Sequence, residues 1–295
     1  MTIKHMHKKN KNLGRNLLRI TVVTLLILGL GGYLAWNFYQ KIYGPNVEIE
    51  EKETASLYIP TGSEYQEVVG LLKITGHLKN IDSFKWVAEK KNYPENINPG
   101  HYLLREGMSN NKLVNILRGG MQTPVKVTFS NVRTKEDFAG RIGDDIEADS
   151  ASLLQSLNDT TLLNQFDLKP ETVTAMLLPN TYELWWNTDA KDFLERMHRE
   201  YNRFWNEQRR QKAESIGLTP VKVAILASIV DEETIKEDEK EKIAGLYINR
   251  LNRGIRLQAD PTIKFVLDDF TIKRVLDRDL KIDSPYNTYM YRGLP

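Results

Sequence analysis

The sequence predicts an α+β protein with a single N-terminal transmembrane helix, a small βα module and then a mainly helical domain. Three observations support this class: an uncharged apolar run near the N-terminus, short strand and helix patterns from residue 57 to 122, and helical periodicity from residue 150 onward. With 295 residues, 41% hydrophobic and 27% charged, the chain can form one or two cores beyond a membrane segment.

The first element is a membrane helix at residues 20–40, behind a tail, residues 1–19, that is rich in Lys and Arg and has no acid. About 20 residues at 1.5 Å rise cross a hydrocarbon core of about 30 Å. Tyr33, Trp36 and Tyr39 suit the far interface, and the basic tail predicts a cytoplasmic N-terminus. The alternative, a cleaved signal peptide, is disfavoured because the apolar run is too long and lacks a clear cleavage site.

Charge and cysteine content exclude some classes of protein. The formal net charge is only +2, which argues against a dedicated nucleic-acid binder, so no nucleic-acid partner is expected. The chain has no cysteine, so its external part uses no disulfide, and cysteine usage does not indicate the redox compartment.

A polar segment, residues 41–56, contains Gly44 and Pro45 and is predicted to be a stalk. The module at residues 57–122 follows, beginning with an apolar strand. A turn at Gly62 and an N-cap at Ser63 then lead into a helix that ends at Gly76.

The same order recurs further along the module, with a strand at 101–104, a turn at Gly107 and an N-cap at Ser109. The helix that follows ends at Gly119 and Gly120, and a helix between the two units carries apolar positions Phe84, Val87 and Ala88. This order resembles the LysM-type fold, which binds glycan chains. A plain packing domain is the alternative.

The segment from 123 to 295 is predicted to be one mainly helical domain. It begins with a strand at 125–129 and a helix from about Thr134. Further helices are predicted at 150–158, near 190–214, from about 221, and at 237–253. The second of these is polar, with one apolar stripe formed by Tyr201, Phe204 and Trp205.

An acidic junction follows the helix that Thr219 and Pro220 begin as N-cap and first residue. At 100° per residue, Glu233 continues the apolar stripe of Leu226, Ile229 and Val230, whereas Asp231 points to the opposite side and Glu232 to a flank. The expectation is that Glu233 is directed to the core or a cleft, that its pKa rises with desolvation, and that it can act as a general acid. Alternatively, the helix ends near Glu232 and all three acids lie in a turn.

Other chemistries find less support. None of the five histidines lies near the acidic trio, which disfavours a His-ligated zinc site. An all-carboxylate magnesium site using Glu233, Asp260 and Asp268 or Asp269 remains an alternative. The chain has no G-x-S-x-G, no Gly-rich phosphate loop and no cysteine nucleophile.

Three segments, residues 177–186, 256–262 and 284–295, mix amide and hydroxyl groups with aromatic rings. Grooves that hydrogen-bond sugar hydroxyls and stack on pyranose faces have this composition, although turns with one packed aromatic have it as well.

At these residues the sequence resembles the membrane-anchored endolytic murein transglycosylases, the MltG or YceG-like family. The motifs that carry the resemblance are LLPNTYELW, ILASIVDEET, IAGLYINRLNRGIRLQADPT and SPYNTYMYRGLP, in the family's order. The family pattern at the junction is S-I-V-E-K-E-T, so its catalytic glutamate corresponds to Glu233, and Asp231 replaces the other glutamate. The family normally continues past the position of Pro295, so we expect a C-terminally shortened chain.

The resemblance implies cleavage of the β-1,4 bond between N-acetylmuramic acid and N-acetylglucosamine within peptidoglycan strands, leaving 1,6-anhydro ends and limiting nascent strand length. It implies no cofactor and no metal, a bacterial inner-membrane location with the enzyme domain outside, and peptidoglycan synthases or the division and elongation machinery as candidate partners. The alternative is a catalytically impaired, membrane-tethered glycan-binding or scaffold protein. The candidates for lining the substrate cleft are Asn180, Tyr182, Gln258, Asp260, Asn287 and Tyr289.

Overall fold

The structure, a computed structural model, describes residues 3–49, 53–130 and 132–295, with side chains from residue 17 onward. The described residues form a mixed α/β fold that is mostly helical and divides into two compact units. The first unit comprises the chain up to Val127 together with 145–147 and 182–188, and the second comprises 128–144, 148–181 and 189–295. The division begins near the predicted boundary at 122, but the chain returns twice to the first unit.

Helix α1 spans Ile3–Tyr43. Its part from Leu17 to Tyr43 is the one continuous helix in the described residues that is long and apolar enough to cross a membrane. Its apolar side chains are exposed, including Leu26 and Trp36, as expected for a helix whose partner is lipid.

The prediction of a stalk at residues 41–56 is wrong for those of its residues that the structure describes. Residues 41–49 belong to the folded unit: Ile42 packs against its core, and Val47 and Ile49 are buried. Asn46 is buried as well and donates its side-chain amide to Asn110 Oδ1 at 2.6 Å. The physical reason is that this mostly polar segment contains apolar side chains, which fill part of the core of the first unit. Residues 50–52 of the predicted stalk lie outside the described residues.

The first unit is built on an antiparallel pair of strands, β1 (Thr54–Ile59) and β2 (Gly100–Arg105). Helices α2 (Tyr65–Ile74) and α3 (Ile81–Lys90) connect the strands, and α4 (Asn110–Arg118) follows β2. Alternate residues of the strands, such as Leu57 and Tyr102, enter the core that these helices cover. The predicted strands and helices of the module are therefore present.

The helix caps of the module were predicted with mixed success. Ser109 is the N-cap of α4, and its hydroxyl accepts a hydrogen bond from the Lys112 amide, as predicted. Ser63 is not the cap of α2: Glu64 takes this role, and its side chain forms a reciprocal capping box with Glu67. Ser63 is followed three residues later by Gln66, and Glu64 by Glu67, so the sequence spacing admits a capping box at either residue.

Later segments complete the outer face of this two-stranded sheet. The Tyr58 ring stacks on His101 with ring centroids 4.7 Å apart, and Trp186 packs against Tyr58 at 5.1 Å. Glu147 binds the backbone amide and the hydroxyl of Thr61 at 2.6 Å and 2.5 Å. Segments 145–147 and 182–188 are therefore structural parts of the first unit.

A second two-stranded sheet pairs β3 (Val125–Phe129) with β4 (Asn180–Leu184). The helix predicted to begin at about Thr134 is present, and Thr134 is its N-cap. The remaining helices are α5 (Lys135–Gly143), α6 (Ser150–Ser156), α7 (Thr160–Asn164), α8 (Ala190–Phe204), α9 (Glu207–Ser215), α10 (Pro220–Glu233), α11 (Glu237–Asn252) and α12 (Asp260–Val266), with 3₁₀ turns at Val173–Met176 and Asp279–Lys281.

The single helix predicted near 190–214 is two helices, α8 and α9. Trp205 leaves the helical conformation with ψ 61°, and the Asn206 side chain then accepts a hydrogen bond from the Arg209 amide as the N-cap of α9. Tyr201 and Trp205 are buried, while Phe204 is 40% exposed. Burial of the Trp205 ring therefore fixes a break that the helical pattern does not show.

Burial raises the pKa of Tyr102 to about 12, above the ordinary value of about 10. The folded chain thus keeps the proton of the Tyr102 hydroxyl at pH values at which the unfolded chain has released it. The contribution to stability is fully present below pH 10 and is lost as the pH rises toward 12. We expect the free energy of unfolding, measured with denaturant for the detergent-solubilised chain, to fall between pH 10 and 12. Tyr102→Phe should reduce that slope by up to about 1.4 kcal/mol per pH unit; an unchanged slope would contradict this account.

Candidate active site

Helix α10 carries the acidic junction. The Thr219 hydroxyl accepts a hydrogen bond from the Lys222 amide, and Pro220 is the first residue of the helix, as predicted. Leu226, Ile229 and Val230 are buried. The helix includes all three acids and ends at Glu233, because Thr234 is extended, with φ −150° and ψ 141°.

Each acid of the trio has a different partner. Asp231 accepts from Lys240 Nζ at 2.7 Å, and Glu232 accepts from the Arg133 guanidinium at 3.1 Å. Glu233 Oε1 accepts from the Tyr247 hydroxyl at 2.7 Å. Within the described residues, Glu233 is the member of the trio without an ion-pair partner.

The expectation that Glu233 is withdrawn from water is wrong, because its side chain is exposed. The buried stripe of α10 stops at Val230, and the helix ends one turn later, so the Glu233 position is left uncovered by the described elements. The contact with the interior comes from Tyr247, which is only 5% exposed and reaches the carboxylate with its hydroxyl. Glu233 therefore presents one oxygen to the protein.

Tyr247 was not among the predicted site residues. It lies on α11, packs in the same core as Leu226 and Val230, and is the sole aromatic residue of that helix. Burial, followed by the hydrogen bond to Glu233, raises the pKa of its hydroxyl well above the ordinary range. Tyr247 thus keeps its proton, and remains a hydrogen-bond donor, at neutral pH. A buried phenol hydroxyl usually has a hydrogen-bond partner. A single aromatic residue on a polar helix was therefore the signal in the sequence that could have identified Tyr247 as a site residue.

A second acid–tyrosine pair lies near the first. Asp260, the first residue of α12, accepts from the Tyr289 hydroxyl at 2.5 Å. Burial and this hydrogen bond raise the pKa of Tyr289 to about 12; the charge of Glu233 raises it further and that of Arg250 lowers it. The structure thus brings two of the predicted lining residues, Asp260 and Tyr289, to Glu233. We call Glu233, Tyr247, Arg250, Asp260 and Tyr289 the Glu233 cluster.

Asn287 is not a lining residue, because it is completely buried. Its amide donates to the carbonyl oxygens of Leu280 and Ile282, and its Oδ1 accepts from the amides of Tyr289 and Met290. All its polar groups are used within the protein. It shapes the loop that presents Tyr289.

Gln258 lies beside the cluster with an exposed side chain and a left-handed backbone, φ 52°. The backbone amide of Gln258 donates to the Thr288 carbonyl oxygen at 3.1 Å, and the Thr288 hydroxyl accepts from the backbone amide of Ala259 at 3.0 Å. These bonds join the segment before α12 to the loop of Tyr289.

The two predicted residues of β4 are placed differently. Tyr182 is 5% exposed and belongs to the first unit, so it is a core residue rather than a lining residue. Asn180 is exposed, and its Oδ1 accepts from the neighbouring Thr181 amide at 2.8 Å. No contact between Asn180 and the Glu233 cluster is found among the described residues.

Replacing Asn287 by Ala should lower the free energy of unfolding by about 3 kcal/mol, because buried backbone groups would lose their partners. Denaturant unfolding of the detergent-solubilised chain measures this change. Asn252→Ala, at the exposed end of α11, is the matched control and should change stability by less than about 0.5 kcal/mol. Equal stability of the two variants would contradict the role given to Asn287.

The magnesium alternative required several carboxylates in one place. In the part of the chain that the structure describes, no three His, Cys, Asp or Glu residues lie together so that they could hold a metal ion. Asp260 is instead hydrogen-bonded to Tyr289, and Asp269 to Thr271.

Comparisons with known proteins agree with one another. The model of the YceG-like family matches residues 57–295. A Bacillus subtilis (strain 168) protein named endolytic murein transglycosylase is 28% identical over 287 residues, which cover 91% of this chain and 77% of that protein. A protein of the same name from Streptococcus pneumoniae serotype 2 (strain D39) is 25% identical over 303 residues, covering 92% of this chain but 54% of its own length.

The fold is shared with a solved structure. The crystal structure of a YceG-like protein from Listeria monocytogenes, 25% identical, superposes with a TM-score of 0.52 and covers 83% of this chain and 85% of that one. Since the family model matches more than half of the sequence, including the whole Glu233 cluster, the chain belongs to the YceG-like family.

Proposed function

We propose that this chain is an endolytic murein transglycosylase that cleaves the N-acetylmuramic acid–β-1,4–N-acetylglucosamine bond within peptidoglycan strands. The names of the relatives supply the substrate class. The observation that carries the assignment of the catalytic residue is the contact of Glu233 with Tyr247: an exposed carboxylate, free of ion pairs in the described residues, with one oxygen fixed by a buried donor.

Glu233 would perform both proton transfers. In its protonated form it gives its proton to the glycosidic oxygen as the bond from that oxygen to the muramyl C1 breaks. The 6-hydroxyl of the same muramyl residue then forms a bond to C1 and releases its proton to the Glu233 carboxylate. The products are a free N-acetylglucosamine hydroxyl and a 1,6-anhydro end, no water is consumed, and Glu233 returns to its starting state.

The neighbouring acids fit this role less well. Asp231 and Glu232 form ion pairs with Lys240 and Arg133, so both carboxylates are engaged by cations of the protein itself. Hydrolases of glycosides use two carboxylates, one as acid and one as base or nucleophile. Internal attack by the 6-hydroxyl removes the need for the second, and one glutamate is sufficient.

The Tyr247 hydroxyl also determines which oxygen reacts. It donates to Oε1, so the proton that Glu233 transfers would reside on Oε2, the oxygen open to substrate. Tyr289, Asp260 and Gln258 are the proposed contacts for sugar hydroxyls and pyranose faces beside it.

The first unit is proposed to bind glycan as a LysM-like module. Its order of strand, two helices and strand, with the strands antiparallel, supports this resemblance. We further propose that α1 anchors the chain in the bacterial inner membrane with the N-terminus in the cytoplasm, so that both units work on the outside. Cleavage there would limit nascent strand length, and association with peptidoglycan synthases or the division and elongation machinery remains a prediction.

Digestion of purified sacculi by the full chain in detergent tests the function. Mass spectrometry should show 1,6-anhydro muropeptides from within strands, and digestion in H₂¹⁸O should leave them without ¹⁸O. Reducing ends that carry ¹⁸O would show a hydrolase instead. Binding to sacculi with no released product would favour the glycan-binding scaffold.

A further inference from the structure

Helix α1 contacts the other helices of the first unit at the level where the membrane is expected to end. The ring of Phe38 meets the ring of Trp86, on α3, edge to face with 5.0 Å between centroids. Phe38 lies two residues before the end of the predicted span, residues 20–40, which corresponds to about 3 Å along a helix. Trp86 must therefore lie close to the boundary between hydrocarbon and headgroups.

The end of α1 is packed against and hydrogen-bonded to the rest of the unit. Ile42, the next-to-last residue of α1, packs in the core of the first unit. The Asn110 side chain, 1% exposed, donates to the Lys41 carbonyl oxygen at 3.0 Å and to the Ser83 hydroxyl at 2.8 Å. The end of α1 is thereby bonded to α4 and, through Ser83, to α3.

Two cations flank Trp86. Lys41 Nζ lies 4.5 Å from the centroid of its ring, and Lys90 Nζ lies 5.9 Å from it. The acid one turn earlier on α3, Asp82, is paired with Lys85 at 3.4 Å. Tryptophan with nearby lysine is the composition that prefers the headgroup layer, where the ring is amphipathic and the ammonium groups meet lipid phosphates.

We propose that the first unit lies directly on the outer surface of the membrane, with Trp86 in the headgroup layer and with Lys41 and Lys90 bound to the phosphates of anionic lipids. This inference rests on the membrane-anchoring part of the proposed function. We call the surface formed by Lys41, Trp86 and Lys90 the Trp86 face. The partner is a phospholipid surface rather than a protein, because the contact begins with a residue inside the span.

Because the chain has no cysteine, single cysteines can report depth in the bilayer. Asp82→Cys places a bimane label one turn from Trp86 at a side chain that is 86% exposed, and Ile74→Cys, 85% exposed at the end of α2, is the matched control. The full chain is placed in nanodiscs of phosphatidylcholine and phosphatidylglycerol that contain headgroup nitroxide lipid. We expect quenching at residue 82 to be at least about three times that at residue 74, since collisional quenching requires near contact.

A third label, Ile27→Cys, separates failure of the inference from failure of the anchor. Quenching at residue 27 by acyl-chain nitroxide, with equally weak headgroup quenching at 82 and 74, would overturn the proposed surface contact. Absence of quenching at residue 27 would overturn membrane anchoring itself, and the inference with it.

The role of charge has its own test. Quenching at residue 82 should fall when phosphatidylglycerol is omitted, and also in the double variant Lys41→Gln, Lys90→Gln. The double variant Lys73→Gln, Lys126→Gln, at exposed positions of the same unit, is the control and should behave like the parent chain. Quenching that is independent of both lipid charge and the two flanking lysines would overturn the assignment of lipid phosphate as the ligand.

Discussion

Glu233→Gln is expected to lower the rate of anhydro-muropeptide release from sacculi by about 10³-fold, within the range for loss of a general acid–base residue. An amide can neither give its proton to the glycosidic oxygen nor accept one from the 6-hydroxyl. Substrate affinity, measured by co-sedimentation with sacculi, should change little, because Gln keeps the shape of the side chain and can still accept from Tyr247. The side chain is exposed, so the variant should fold normally.

The other two acids of α10 are matched controls for this substitution. Asp231→Asn and Glu232→Gln each remove one charge from the same helix, but they interrupt exposed ion pairs, whose contribution to stability is small. We expect both variants to stay within about threefold of the parent rate, since neither carboxylate transfers a proton. Anhydro products that persist at the parent rate in Glu233→Gln would refute the catalytic assignment.

Tyr247→Phe is expected to lower kcat by about 10- to 100-fold with little change in KM. Hydrogen bonds to charged groups contribute about 1.5–3 kcal/mol, and loss of that amount in the transition state gives this range. Phenylalanine keeps the packing of the ring against α10 and removes only the donor to Oε1.

Tyr201→Phe provides the comparison for this variant. Tyr201 is buried to a similar degree in the second unit, but it lies on α8 rather than beside Glu233. Its variant should retain the parent kcat and KM. If Tyr247→Phe also retained both, Tyr247 would be a packing residue and not a positioning residue for Glu233.

Elements with a strong local signal were predicted from the sequence. The cap and first residue of α10, Thr219 and Pro220, determine where that helix begins, and the apolar spacing identifies its buried face. The cap at Ser109 was equally clear. In each case the physical cause lies within a few residues of the effect.

Other features depended on contacts between distant residues. The break at Trp205 arises from burial of its ring, and the predicted stalk is folded because Val47 and Ile49 fill a core built by residues far along the chain. Helical phase selected Glu233, but its exposure follows from the end of α10 at that residue. The hydrogen bond between Glu233 and Tyr247 depends on the packing of α10 against α11. Residue spacing along a single helix does not predict that packing.

The return of segments 145–147 and 182–188 to the first unit has a consequence for biosynthesis. A nascent chain that emerges from its N-terminus has residues 54–105 available early, yet Trp186, the second ring that packs against Tyr58, arrives only after two excursions into the second unit. The first unit therefore cannot finish folding vectorially. The outer face of its sheet is completed only when residues 182–188 have been synthesised.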